Sequence, residues 1–241
     1  MCGNVKQYDL ICSLGGNCAA AHNLLHCGLR KFSLPFDWLY ILDDGPIYRL
    51  SECFENDFKN FCLKENMKPL PEGVNRSHLD REQYYDTYTG YRFVNHFSKK
   101  IEDGGFPEVK KKITRRISRL LSYIEQGKDI LFILATSFEF DLDSVIKLSQ
   151  TLQEKWPDKN FSFEVLMFCS ASDSMTTTGN ITLRKYTRSM NNCDFCGFNN
   201  EWCFLYDLSL KPVLHDIHYS LWQKICYKVF PITHITQNMQ L

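Results

Sequence analysis

The apolar positions of this chain follow two rhythms, one suited to strands and one to helices. Tyr8 to Leu14 (YDLICSL) is a short apolar, partly β-branched run. It is broken by Gly15-Gly16-Asn17 before the helix-like stretch Cys18 to His26, which Gly28 closes, so the opening predicts a strand, a tight turn and a helix. Arg30 to Leu42 is aromatic-rich with a proline at 35 and predicts a loop packed under the body of the protein. From Glu108 to Gln126, the residues Val109, Ile113, Ile117, Leu120, Leu121 and Ile124 keep the three-to-four spacing of one apolar helix stripe. Gly127 ends that helix, and Asp129 to Leu134 (DILFIL) is a continuous apolar run of the kind found in a buried strand.

A further helix is expected from about Leu142 to Lys155, with strands at Phe161 to Phe168 and Ile181 to Tyr186. The Ser-, Thr- and Asp-rich segment between those strands predicts an exposed loop, and Pro212 to Phe230 predicts a C-terminal helix. Leu63 to Tyr91 is polar, with Pro69, Pro71 and Gly73 and a cluster of tyrosines, and is the best candidate for an excursion from the core. No internal repeat is visible. Strands alternating with helices predict an α/β fold, a mainly parallel sheet with helices on both faces, within one domain spanning residues 1–241. Reactive groups in such sheets sit beyond the carboxyl ends of the strands.

Composition narrows the classes. Hydrophobic content of 44% supports a large core and excludes global disorder. Twenty-eight basic and 28 acidic residues give a net charge of +0, so no global field draws the chain to nucleic acid. That neutrality conceals a basic stripe, Lys110, Lys111, Lys112, Arg115, Arg116 and Arg119, read first as a solvated helix face and second as a phosphate patch. The 11 cysteines are an odd number. The chain opens without a basic-then-apolar leader and has no run of membrane-spanning length, so it reads as cytoplasmic with reduced thiols. Cofactor motifs such as G-x-x-x-x-G-K-[ST], G-x-G-x-x-G and H-E-x-x-H are absent, and no cofactor is expected. Cys193, Cys196 and Cys203 have the inner spacing of a zinc half-site that His215 or His218 could complete, a weak signal without a second CxxC.

The strand-end rule directs attention to Ser13-Leu14-Gly15-Gly16-Asn17-Cys18. A cysteine in the first turn of a helix meets unpaired N–H groups and a partial positive charge, which favour a thiolate and could hold an oxyanion. Gly15 and Gly16 would let the backbone turn sharply and leave room for a substrate. The plain alternatives are a phosphate-cradling turn or an ordinary strand-to-helix connection with a buried cysteine.

The stretch YDLICSLGGNCAAA from Tyr8 to Ala21, then Leu29-Arg30, then Ser33-Leu-Pro-Phe-Asp-Trp38, resembles the opening of a bacterial family described as papain-like cysteine peptidases, the domain of unknown function 1796. That family opens with a similar strand, an S-L-G-x-x-C turn, a helix and a P-F-D-W segment. Tyr91 to Phe97 (YRFVNHF) is similar to the family's single histidine before a phenylalanine, although an Asp commonly stands between them there and His96 is followed directly by Phe97. The resemblance implies Cys18 as nucleophile and His96 as its base and later acid. Asp37, within the matched segment, is the first candidate for orienting the imidazole, ahead of Glu139, Asp141 and Asp216. Its alternative is to fix the loop through backbone N–H groups.

His22 is a rival base, because a residue four places after Cys18 shares its helix face. Ser13, Gly15, Gly16 and Asn17 are the candidate oxyanion or substrate-binding residues. The resulting expectation is a thiol-dependent hydrolase or acyl-transfer enzyme acting on a peptide, amide or acyl substrate. The alternatives are a non-catalytic module holding a phosphate, sugar or nucleotide group at the Gly15-Gly16-Asn17 turn, and a polysaccharide-related transferase.

Overall fold

The computed structural model describes residues 5–41, 43–70, 82–188 and 200–211. The chain divides into two compact units, residues 1–210 and 211–241, and the second lies outside the described residues except for Lys211. The expected C-terminal helix with His215, Asp216 and His218 falls there.

The first unit is mixed α/β. Strands β1 (Lys6–Tyr8) and β2 (Leu10–Ser13) lead into helix α1 (Cys18–His26), and helix α2 (Gly45–Glu55) follows the aromatic loop. Strands β3 (Met67–Pro69), β4 (Glu82–Asp86) and β5 (Arg92–Phe97) come next, then helix α3 (Phe106–Gln126), β6 (Asp129–Thr136), helix α4 (Asp143–Lys155) and β7 (Asn160–Phe168). The hairpin β8 (Ser174–Thr178) and β9 (Ile181–Tyr186), a 3-10 segment (Asn200–Asp207) and β10 (Leu208–Leu210) complete it.

The main sheet has the order β2-β6-β7-β9-β8, with the first four strands parallel and β8 antiparallel at the edge. Successive side chains on a strand point to opposite faces, and the two faces find different cover. Leu10, Cys12, Ile130, Phe132 and Leu134 pack with residues of α2, α3 and α4. Ile11, Leu131, Ile133 and Ala135 pack with Ala19, Ala20 and Leu24 of α1 and with Trp202 and Leu205. Helices therefore cover both faces, as expected.

The expected mainly parallel sheet is present, and beside it β3-β4-β5 form a separate antiparallel sheet. Two expectations are corrected. The polar stretch from Leu63 to Tyr91 is not wholly an excursion. Met67, Tyr84 and Tyr91 are buried in the same core as the main sheet, the tyrosine rings supplying apolar area that hydropathy alone undervalues. Residues 71–81 of that stretch lie outside the described residues. The Ser- and Thr-rich loop before β9 holds the edge strand β8, whose three consecutive threonines suit a pleated surface and whose turn is made by Gly179 at φ +59°.

The basic stripe of α3 also has a destination within the chain. Arg119 donates to the Ser33 carbonyl at 3.0 Å with its guanidinium over Phe32, and Lys110 donates to the Phe61 carbonyl at 3.0 Å. Arg116 is half-buried, and its charge acts on Asp37. Part of the stripe clamps the aromatic loop, while Lys111 and Arg115 stay exposed.

Candidate functional site

The strand-to-helix turn is built from backbone bonds that leave each of its residues little freedom. Ser13 is fully buried, and its hydroxyl accepts from the Gly15 N–H at 3.0 Å, so it shapes the turn. The Leu14 carbonyl accepts from the Tyr91 hydroxyl at 2.8 Å, and the Gly16 carbonyl accepts from the Ile41 N–H at 3.0 Å. Both glycines take positive φ, +85° and +100°. A Cβ on Gly16 would lie 1.8 Å from the Ala135 carbonyl oxygen, and one on Gly15 would lie 3.1 Å from the Tyr91 ring. The space that a Cβ would take at either position is filled by β6 and the aromatic core. What they supply is a sharp turn at close approach to neighbouring backbone.

Asn17 caps α1, its Oδ1 accepting from the Ala19 N–H at 2.7 Å. Its side-chain oxygen thus meets one orphan donor of the first turn. Cys18 is the first residue of the helix and only 5% exposed. Its thiol donates to the Tyr40 hydroxyl at 3.1 Å.

The charge state differs from expectation. Burial pushes the Cys18 thiol up to about 11, the Tyr40 hydroxyl pulls it down, and the Asp37 carboxylate pushes it up again. Desolvation outweighs the helix N-terminus, and the resting group is a neutral thiol. Burial and the neighbouring Cys18 likewise raise Tyr40, which is a neutral phenol.

Asp37 is fully buried and committed locally. Its Oδ2 accepts from Arg30 at 2.7 Å and from the Leu34 N–H at 2.8 Å, and Arg30 in turn covers the Trp38 ring at 5.1 Å. Burial raises its carboxyl, against the lowering influence of Arg30 and the Leu34 N–H. These bonds through Oδ2 fix the loop. Glu139 and Asp141 are occupied in loops: Glu139 pairs with Lys185 at 3.1 Å, and Asp141 accepts from the Asp143 N–H.

The two candidate bases occupy different surroundings. His22 lies one turn after Cys18 on α1, where residues four apart have Cβ atoms about 6 Å from each other. It is half-buried, and desolvation, then His26 and Arg30, lower it, which keeps the imidazole neutral near pH 7. His96 is buried on β5, edge-on to the Phe93 ring at 5.2 Å.

Strand polarity decides the direction from the turn to His96. Tyr40 forms a parallel bridge to Gly16 and an antiparallel bridge to Arg92. From Arg92, β5 therefore runs opposite to the path from Gly16 to Cys18. His96 is four residues further along it, about 13 Å at the rise of a strand. The β5 residue at the junction is Arg92.

Tyr40 and Arg92 were not singled out by sequence. Tyr40 stands two residues after the matched Trp38, and Arg92 lies within the stretch from Tyr91 to Phe97, four residues before His96. Of the weak metal candidates, Cys203 alone lies among the described residues. Cys203 is exposed and electrostatically near Cys27, while Cys193 and Cys196 lie outside the described residues. Among the described residues no group of three or more His, Cys, Asp and Glu could hold a metal, and no helix is long and apolar enough to cross a membrane.

A family profile described as "Putative papain-like cysteine peptidase (DUF1796)" matches residues 9–171, more than half of the chain. Among curated proteins, the uncharacterized protein R408 of Acanthamoeba polyphaga mimivirus is 25% identical over 137 residues. That match covers 52% of this chain and 60% of the viral protein, less than two thirds of its length. No solved structure matches.

Proposed function

The chain belongs to DUF1796, the family described in terms of papain-like cysteine peptidases, and on that premise we propose that it is a thiol-dependent hydrolase or acyl-transfer enzyme with Cys18 as nucleophile. The observation that supports this reading best is the position of Cys18: first residue of α1, directly after a turn with two positive-φ glycines, at the carboxyl end of a parallel strand.

In the proposed reaction a histidine takes the Cys18 proton as sulfur bonds to the substrate carbonyl carbon. The carbonyl π electrons move to oxygen, and N–H groups at the start of α1, with Cys18's own foremost, face the oxyanion. Collapse breaks the bond to the leaving amine or alcohol, which takes the proton from the imidazolium and leaves a thioester. Water, or a second acceptor nucleophile, gives a proton to the histidine and attacks that thioester. The sulfur departs and regains its proton.

Family resemblance nominates His96 as the base. The helical spacing of Cys18 and His22, together with the polarity of β5, favours His22 in the conformation described.

A second reading, a non-catalytic module binding a phosphate or sugar group at the turn, draws support from the neutral, 5% exposed thiol. Native-state alkylation with iodoacetamide and mass mapping separates the two. The enzyme reading expects Cys18 to be modified ahead of the buried Cys12, Cys53 and Cys62, with His22→Ala or His96→Ala changing the pH profile of that modification. Cys18 modified no faster than those three would sink it.

A further inference from the structure

We propose that Cys27 and Cys203 form a modification site, a pair of thiols that closes to a disulfide when the chain meets a low-molecular-weight disulfide such as oxidised glutathione. The pair does not include Cys18, and its chemistry is independent of what Cys18 does.

Cys27 closes α1, its N–H donating to the Asn23 carbonyl at 2.9 Å. Its half-buried side chain packs against the cluster that joins Ala20 and Leu24 of α1 to Trp202 and Leu205 of the 3-10 segment. With three residues per 3-10 turn, Trp202 and Leu205 share one face, which is buried, while Cys203 and Tyr206 share the next, which is exposed. Both cysteines and this tyrosine act on one another. After desolvation, Cys203 raises the Cys27 thiol, and the two thiols together raise Tyr206. Packing and charge therefore bring the end of α1 and the 3-10 segment to one place, with Cys203 open to reagents. Cys12, Cys18, Cys53 and Cys62, by contrast, are buried.

The exposed thiol goes first. Cys203, as thiolate, attacks one sulfur of oxidised glutathione, whose S–S bond breaks and releases one glutathione thiolate. Cys27 then gives up its proton and attacks the Cys203 sulfur of the mixed disulfide, and the second glutathione thiolate leaves. The two protein sulfurs are oxidised as the two glutathione sulfurs are reduced, and the two protein protons end on the released glutathione thiols. The new bond joins the end of the helix that carries Cys18 and His22 to the segment leading into β10, closing most of the first unit into one covalent loop.

Incubating the full reduced chain with oxidised glutathione, then trapping and mapping peptides by mass without reduction, tests the pairing. A disulfide forms only between Cα atoms within about 7 Å, so the cross-link itself reads the geometry. The ratio of Cys203 linked to Cys27 over Cys203 carrying glutathione should be at least about tenfold higher in the native chain than in concentrated urea, where the two thiols meet only by closure of a very long loop. Cys27→Ser, shown to be folded by circular dichroism, should leave Cys203 carrying glutathione. Equal ratios in the native chain and in urea overturn the proposal. So does a native chain in which Cys203 keeps its glutathione with Cys27 present, or is joined instead to Cys193 or Cys196.

Discussion

The Cys18 thiol and the Tyr40 hydroxyl are 3.1 Å apart, joining the first turn of α1 to a residue whose backbone bridges both Gly16 and Arg92. One tyrosine therefore ties the Cys18 turn of the main sheet to the separate antiparallel sheet. It holds the thiol by its side chain and the two segments by its main chain, so the two roles can be varied independently.

Tyr40→Phe keeps the backbone bridges and removes the hydroxyl. Because the hydroxyl lowers the thiol from where burial alone would put it, the variant should hold Cys18 above about 11. Alkylation by iodoacetamide at pH 8 should slow by about tenfold, the worth of one modest hydrogen bond to a charged group. An unchanged or faster rate would show that the hydroxyl shields the thiol instead.

Asp37→Ala should cost about 3–5 kcal/mol of unfolding free energy, because it leaves Arg30 buried and uncompensated. Asp37→Asn keeps the shape and removes the charge that pushes Cys18 up. In that variant the apparent pKa of Cys18 alkylation should fall. Urea unfolding and a pH series of labelling rates check the two statements.

Gly16→Ala should destabilise by about 3–5 kcal/mol or prevent folding, since it combines a left-handed φ with a Cβ driven into the Ala135 carbonyl. Gly28→Ala is the control. It has φ +71° but nothing within 4 Å of its Cβ position, and it should cost about 1 kcal/mol. Equal urea midpoints for the two variants would contradict close packing at Gly16.

Stability should decline in alkali. Burial raises the thiols of Cys12, Cys18, Cys53 and Cys62, Cys18 to about 11 and Cys62 to about 12. A group raised on folding binds its proton longer in the native chain. Its contribution is complete below the ordinary thiol value and is lost as pH rises through the native one. The urea midpoint should hold up to about pH 8.5 and fall steadily from there towards pH 11. A midpoint that stays level over that range would mean these thiols are not desolvated.

The sequence by itself determined the elements whose burial pattern is local. The stripe from Val109 to Ile124 is α3, DILFIL lies within β6, and Cys18 to His26 is α1, because periodicity and chain-breaking glycines act within a few residues. It also determined that a cysteine would stand at the strand-to-helix turn. Tertiary structure decided what surrounds that cysteine. Tyr40 is 22 residues away, and the backbone bridges to Gly16 and Arg92 that hold it there leave no local pattern, since opposed strands meet through hydrogen bonds that any residue's backbone can make. The charge of the thiol followed the same division. A helix N-terminus is legible in sequence, but the burial that overrides it belongs to the packed fold, which brings Tyr40 and the rest of the chain over the thiol, and desolvation depends on that packing.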